Sequence, residues 1–201
     1  MAASRLVLAS TSRYRAQLLE RLEVPFEVAA PRFDEAALRP RFAELGDEAF
    51  ALLLARGKAA SLRDEYPDAW LLAADQIGVL EDEAGPRLLG KPGTQDRAVA
   101  QLLSMSGRSH QLVTAVVLAA PEGASLECVD RQRLKMRAFA EPEVRAYVAR
   151  HLPLDSAGAY RIEDAGIRLF ERIEGNDYTG IIGLPLLAVA SLLREAGLLD
   201  P

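Results

Sequence analysis

Short apolar runs alternate along this chain with longer stretches whose apolar residues recur at helical spacing. Arg5–Ala9 (RLVLA) reads as a buried strand. Between Ser12 and Leu22, the residues Leu18, Leu19 and Leu22 mark one face of a helix that Pro25 ends. Phe26–Ala29 is a second short strand, Asp34 to Asp47 is acidic and irregular, and Asp47–Tyr66 is a long helix with Phe50, Leu53, Leu54 and Leu62 on its apolar side. Trp70–Ala74 is a strand ending in Asp75-Gln76, and Ile77–Leu80 continues apolar. Asp82–Pro86 reads as a turn, and Thr94 as the N-cap of a helix reaching about Met105. Val113–Ala119 and Leu126–Phe139 are long strands joined around Pro121-Glu122-Gly123. A helix over Glu141–Arg150, a strand over Ile167–Phe170 and a helix over Leu184–Ala196, starting near Pro185, complete the pattern. Strands alternating with helices, without repeat or linker, predict a layered α/β fold in one domain over residues 1–201.

Composition narrows the classes. Half of the 201 residues are hydrophobic and the formal net charge is −5, which suits a large core and argues against general binding of nucleic-acid polymers. A polyanionic ligand would need a local basic pocket. No stretch approaches membrane-spanning length, and MAASRLVLAS has too short an apolar run for a signal peptide. Cys128 is the only cysteine, so no intrachain disulfide forms, which fits a reducing cytoplasm. With His110 and His151 as the only histidines, a His/Cys zinc cluster is excluded, and neither histidine is assigned chemistry.

Several stretches could carry chemistry. Gly85–Lys91 matches the G-x-x-x-x-G-K spacing of a phosphate loop, but Pro92 stands where that loop needs Ser or Thr and lacks the N–H that would cradle phosphate. The stretch reads instead as a turn at Ala84-Gly85-Pro86 and another at Lys91-Pro92-Gly93, a rigid setting from which Lys91 can point at a ligand. Ser10, Thr11 and Ser12 precede a helix. One hydroxyl suffices for a cap, yet Arg13 and Arg15 follow, and hydroxyls, free helix N–H groups and an arginine make an anion site. Asp75 follows an apolar strand, and ligands of open α/β sheets gather beyond the carboxyl ends of strands. Asp34-Glu35 is either solvated loop or half of a two-carboxylate cation site. Lys58, with Leu54 and Leu62 four residues away on either side, either snorkels or aims into a cleft.

Together and in this order the segments resemble the Maf family of nucleoside triphosphate pyrophosphatases. The similarity runs through LASTSRYRAQLL, FDE at Phe33–Glu35, ARGKA around Lys58, ADQ at Ala74–Gln76 and GKPGT at Gly90–Thr94. It continues through MSGRSHQLVTAVVL, DSAGAYRIEDAG and GIIGLPL. The resemblance implies a mixed sheet with flanking helices, in two lobes around a central nucleotide cleft of the Maf/ITPase-like kind. It also implies a cytoplasmic enzyme, commonly a homodimer, that cleaves a nucleoside triphosphate to monophosphate and pyrophosphate with a divalent metal such as Mg²⁺ or Mn²⁺. By position, Asp75 matches the proton acceptor, and Ser10, Ser12, Arg15, Glu35, Lys58 and Lys91 match the phosphate end. Glu35 and Asp75 are the candidate metal ligands. A non-catalytic nucleotide-binding regulator of septum formation is the rival, against which the presence of all four of Glu35, Lys58, Asp75 and Lys91 argues.

Family branches differ at three base-facing positions, here Tyr14, Gln76 and Glu163. The pyrimidine branch, cleaving dTTP and UTP, resembles Arg, Thr and Gln there. The branch acting on 7-methyl-GTP resembles an aromatic, Gln and Glu, and this chain is similar to it, with Tyr in place of the usual Trp. The chemistry agrees: N7-methylation makes guanine cationic, which favours an aromatic face, and a carboxylate at Glu163 can accept from guanine's N1–H and amino group. Gln76, able to donate and accept, could meet the guanine carbonyl or the sugar.

Overall fold

A computed structural model describes residues 5–83 and 85–200. Met1 to Ser4, at the stretch read for a signal peptide, and Ala84, in the expected turn, lie outside the described residues. Among the described residues the strands form one mixed seven-stranded sheet in the order β2-β1-β3-β5-β6-β7, with β4 paired to β3. They are β1 (Leu6–Ala9), β2 (Glu27–Ala29), β3 (Trp70–Asp82), β4 (Gly85–Leu89), β5 (Ser109–Ala119), β6 (Ser125–Met136) and β7 (Phe170–Glu174). The helices are α1 (Arg13–Glu20), α2 (Phe42–Ala60), α3 (Gln95–Met105), α4 (Glu141–His151), α5 (Thr179–Ile182) and α6 (Leu186–Glu195). The α/β class is as the pattern predicts, and the mixed sheet with flanking helices is as the resemblance implies. Among the described residues no helix is long and apolar enough to cross a membrane.

The chain divides into two compact units. Unit 1 holds the residues up to Gln76, Thr114–Asp130 and the chain from Asp177 onward; unit 2 holds Ile77–Val113 and Arg131–Asn176. In unit 1, β1 runs parallel to both neighbours, pairing Val7 with Glu27 and with Leu71. Leu6, Leu8, Leu72 and Ala74 from these strands pack with Leu18 and Leu19 of α1 and Val189, Leu192 and Leu193 of α6. Every residue of β1 is buried, which is why RLVLA carries no alternation. In unit 2, α3 packs against α4, and Ala98, Val99, Leu102, Met105, Val144 and Val148 are the buried positions of their apolar faces.

Expectations change at several elements, and the helix expected to reach Tyr66 ends at Ala60. Asp75 does not end a strand, because β3 runs thirteen residues through it; the apolar Ile77–Leu80 continues the strand rather than following it. The stretch Gly85–Leu89 is a strand antiparallel to β3, with Leu80 opposite Arg87, so the phosphate-loop spacing lies in a hairpin. The acidic segment before α2 is not wholly irregular: Ala36–Arg41 forms 3₁₀ turns, helix begins at Phe42, and Gly46 at φ 75° breaks it in a conformation that costs glycine little. Lastly, Gly166–Leu169 is a 3₁₀ turn and the strand begins only at Phe170.

Candidate active site

The site grows from the end of β1. Ser12 is the N-cap of α1, its Oγ accepting from the Arg15 N–H at 3.4 Å. The Oγ of buried Ser10 accepts from the Ser12 N–H at 3.1 Å. Both hydroxyls act as acceptors within the turn, which leaves each O–H free in principle to donate to an anion. One turn on, Arg15 donates from Nε to the Gly183 carbonyl at 2.9 Å. Burial lowers the Arg15 pKa from its usual value, with the Asp75 and Glu35 carboxylates opposing the shift.

Those carboxylates meet at Lys58. The Lys58 ammonium bonds the Asp75 carboxylate, both side chains less than a tenth exposed, and lies 2.8 Å from Glu35, whose side chain is 45 % exposed. Burial pushes the Asp75 carboxyl above the usual aspartate range, while Lys58 and Arg15 pull it back. A carboxylate held in that way is poised to take a proton.

The FDE triplet divides its work among three contacts. A Cβ on Gly57 would lie 2.2 Å from the Phe33 ring, so the ring occupies the space that only glycine leaves on α2. Asp34 accepts from the Ala36 and Ala37 N–H groups and caps the 3₁₀ turn. Glu35 is thereby set beside Lys58, one residue beyond Gly57.

Gln76 points its amide into unit 1. Nε2 lies 2.6 Å from the Gly180 carbonyl, 3.3 Å from the Ile181 carbonyl and 3.0 Å from Thr114 Oγ1. Two carbonyls fix this atom as nitrogen, and its two hydrogens are consumed there. Gln76 can therefore offer a ligand only its oxygen, which removes the contact to a guanine carbonyl expected from sequence. Tyr14 is half-buried on α1, with the Arg13 guanidinium 4.7 Å from its ring centroid and Arg13 Nη2 2.8 Å from its hydroxyl. Stacking on that face requires Arg13 to move.

Unit 1 therefore brings together Ser10, Ser12, Arg15, Glu35, Lys58, Asp75 and Gln76. Lys91 and Glu163 are in unit 2, Lys91 exposed in the loop between β4 and α3, and Glu163 exposed in a turn before Gly166. The two histidines and the cysteine, assigned no chemistry from sequence, stand outside this group. His110, buried in unit 2, bonds the Tyr160 hydroxyl at 2.8 Å. His151, at the C-terminal end of α4, lies with its ring centroid 5.0 Å from that of Tyr147. Cys128 is half-buried, and burial raises its thiol pKa to about 11.

Sequence reasoning missed Asp177 and Thr179, and gave Gly57, Thr114 and Gly183 no role although they stand in quoted motifs. A buried threonine in an apolar strand and glycines beside charged residues were the available signals.

These features define the class. Residues 5–196 match the model of the Maf-like protein family, and the chain belongs to that family. It is 42 % identical over 193 residues to the 7-methyl-GTP pyrophosphatase of Xanthomonas campestris pv. campestris, an alignment covering 96 % of each chain. It is 44 % identical over 200 residues to the protein of that name from Chromohalobacter salexigens, covering 98 % of each. Among solved structures, a HAM1 protein from Coxiella burnetii is similar at 15 % identity and a TM-score of 0.48, over 96 % of this chain and 98 % of that one.

Proposed function

We infer that the protein is a nucleoside triphosphate pyrophosphatase whose substrate is 7-methyl-GTP. Geometry supports the reaction through one feature above all, the buried Lys58–Asp75 pair with Glu35 and Arg15 around it in a Maf-like chain. Water attacks the α-phosphorus, its oxygen forming the new P–O bond as the bond to the departing pyrophosphate breaks; its proton passes to Asp75. Arg15, Lys58, the hydroxyls of Ser10 and Ser12 and the α1 N–H groups stabilise charge on the transferring and leaving groups. The relatives named 7-methyl-GTP pyrophosphatase support the choice of nucleotide. So does a Gln76 that presents an acceptor, since the guanine base and ribose offer donors to meet it.

A divalent cation belongs to this reading. Glu35 and Asp75 already converge on one cation, the Lys58 ammonium, and one or two carboxylates with substrate phosphates are how Mg²⁺ is commonly held. Bound there, it would neutralise phosphate charge. Among the described residues no group of three or more acidic, His or Cys side chains gathers as a metal cage, which leaves the remaining ligands to substrate and water. Roles for Lys91 and Glu163 rest on family resemblance alone, as does a homodimer; the single cysteine suits a cytoplasmic setting.

The test is hydrolysis of 7-methyl-GTP, GTP, dTTP and UTP by the purified protein, with and without EDTA, identifying the products. Monophosphate and pyrophosphate from 7-methyl-GTP, lost with EDTA, are expected. Preference for dTTP or UTP would overturn the nucleotide, and no pyrophosphate release from any of them would overturn the reaction.

A further inference from the structure

The segment from Asp177 to Leu187 contains no group that the reaction above uses, yet it is pinned at both ends by buried side chains. Asp177 Oδ1 accepts from the Thr179 N–H at 2.9 Å and from the Thr179 hydroxyl at 2.6 Å. Its Oδ2 accepts from the Leu187 N–H at 2.8 Å. Thr179 Oγ1 in turn accepts from the Leu186 N–H at 2.8 Å. Asp177 and Thr179 are 8 % and 4 % exposed, so water competes little for these bonds. Between the two ends, the chain turns at Gly183, whose φ of 116° suits glycine alone.

The carbonyls of this pinned segment hold the site. Gly183 accepts from Arg15 Nε, and Gly180 and Ile181 accept from Gln76 Nε2. Thr114 Oγ1 bridges, accepting from Gln76 and donating to the Gly180 carbonyl at 3.3 Å. Anchoring Nε fixes the plane of the arginine and directs its two terminal nitrogens as a fork for phosphate oxygens. Anchoring the Gln76 amide nitrogen leaves its oxygen as the group that can accept.

We propose that Asp177 and Thr179 are positioning residues whose hydrogen-bonded clamp sets, through one stretch of backbone, both the phosphate fork of Arg15 and the acceptor of Gln76. The proposal rests on the function inferred above for Arg15 and Gln76. A merely structural cap lacks one consequence: loosening the clamp weakens phosphate binding, turnover and base preference together.

The test uses the full chain with Thr179→Val, which keeps shape and removes the hydroxyl, and Thr179→Ser, which restores it. Each is titrated with inorganic pyrophosphate by calorimetry, assayed for KM and kcat on 7-methyl-GTP and UTP, and melted. Expected for T179V is a pyrophosphate affinity weaker by about five- to tenfold, the scale of one lost buried hydrogen-bond partner. KM should rise, kcat fall by several-fold and the 7-methyl-GTP to UTP ratio fall. T179S should return each value toward that of the parent. A folded T179V with unchanged pyrophosphate affinity overturns the clamp, as does a parent protein that binds no pyrophosphate. If T179V does not fold, Asp177→Asn, which sets an amide against the Leu187 N–H, is judged by the same criterion. A parent protein without preference for 7-methyl-GTP would overturn the nucleotide inferred above, while the pyrophosphate titration would still decide the clamp.

Discussion

Unit 1 and unit 2 each bury a polar pair, and the pairs are opposites. In unit 1, Lys58 and Asp75 are both ionisable and bonded to each other, with the exposed Glu35 joining them. In unit 2, His110 bonds the Tyr160 hydroxyl, and His110 Nδ1 is buried without a partner among the described residues. Phe170 lies against both rings, with centroids 6.1 Å from His110 and 4.9 Å from Tyr160. Burial holds Asp75 above its usual pKa and drops His110 to about 4. In each case burial shifts the titration toward the neutral form, but only the first pair sits where charges from separate segments converge. A buried ion pair is weak evidence for stability, because desolvation offsets much of the attraction. Its place beside Ser10, Ser12 and Arg15, to which the proposed function gives the phosphates, makes it evidence for function instead. The neutral pair, ringed by aromatics, is packing.

Breaking the first pair at its chemical end gives the largest effect. Asp75→Asn keeps an acceptor for Lys58 and relieves the burial of a carboxylate, so the fold survives. Turnover should fall by about a thousandfold or more, since the proposed general base and a candidate metal ligand are lost at once. In the parent protein, the acid limb of kcat/KM should lie above the usual aspartate pKa of about 3.9, because burial raises the Asp75 carboxyl. Near-normal hydrolysis by D75N would remove Asp75 from the mechanism. An unfolded D75N would show instead that the pair is structural.

The pH dependence of stability separates the two pairs by sign. Asp75 has a raised pKa, so its contribution is most favourable below the unfolded value and is lost as pH rises through the folded one. His110 has a depressed pKa, so its contribution is present above about 6.5 and is lost as pH falls toward about 4. Across that window the His110 contribution amounts to about 3 kcal/mol. Denaturant unfolding of the parent and of His110→Phe at pH 7 and pH 4.5 measures it. The variant should be less stable at pH 7, where the Tyr160 hydroxyl loses its partner, and should lose less on acidification. Equal acid sensitivity in both proteins would show that His110 is not the titrating group.

The same contrast marks how far the sequence could be read. Strands such as β1 and helices such as α3 were legible because burial on both faces, or on one stripe, writes itself as an apolar run or a helical period. The Thr94 cap was legible for the same local reason. Asp75 was found for the wrong reason: an acid within an apolar run looked like a strand end, whereas Lys58 compensates it in mid-strand. β4 and the 3₁₀ turns escaped because Gly85-Pro86 is equally at home in a turn and at a strand edge, and because Ile167 and Leu169 are too few to show a period. The convergence of Glu35 on Lys58 had to be implied by family resemblance, since nothing local connects residues so far apart in sequence. Asp177 and Thr114 lay beyond reach, as each acts by a hydrogen bond to a distant carbonyl or amide.

The smallest effect sharpens the comparison most, because it leaves every charged residue in place. Gly57 is next to Lys58, and a methyl group there would lie 2.2 Å from two atoms of the Phe33 ring. Alanine favours the helix by about 1 kcal/mol over glycine, which opposes an overpacking cost of about 1–3 kcal/mol. Gly57→Ala should therefore change stability by no more than about 2 kcal/mol. The ring must move, and Glu35, two residues beyond it, moves away from the ammonium that it reaches at 2.8 Å. If Glu35 helps hold a cation, G57A should need several-fold more Mg²⁺ for half-maximal activity and keep its kcat at saturation. The control Phe33→Leu, which empties part of the notch while leaving the glycine, should shift the Mg²⁺ requirement in the same direction. A changed kcat with an unchanged Mg²⁺ requirement would show that Glu35 acts on the substrate or on Lys58 rather than on the metal.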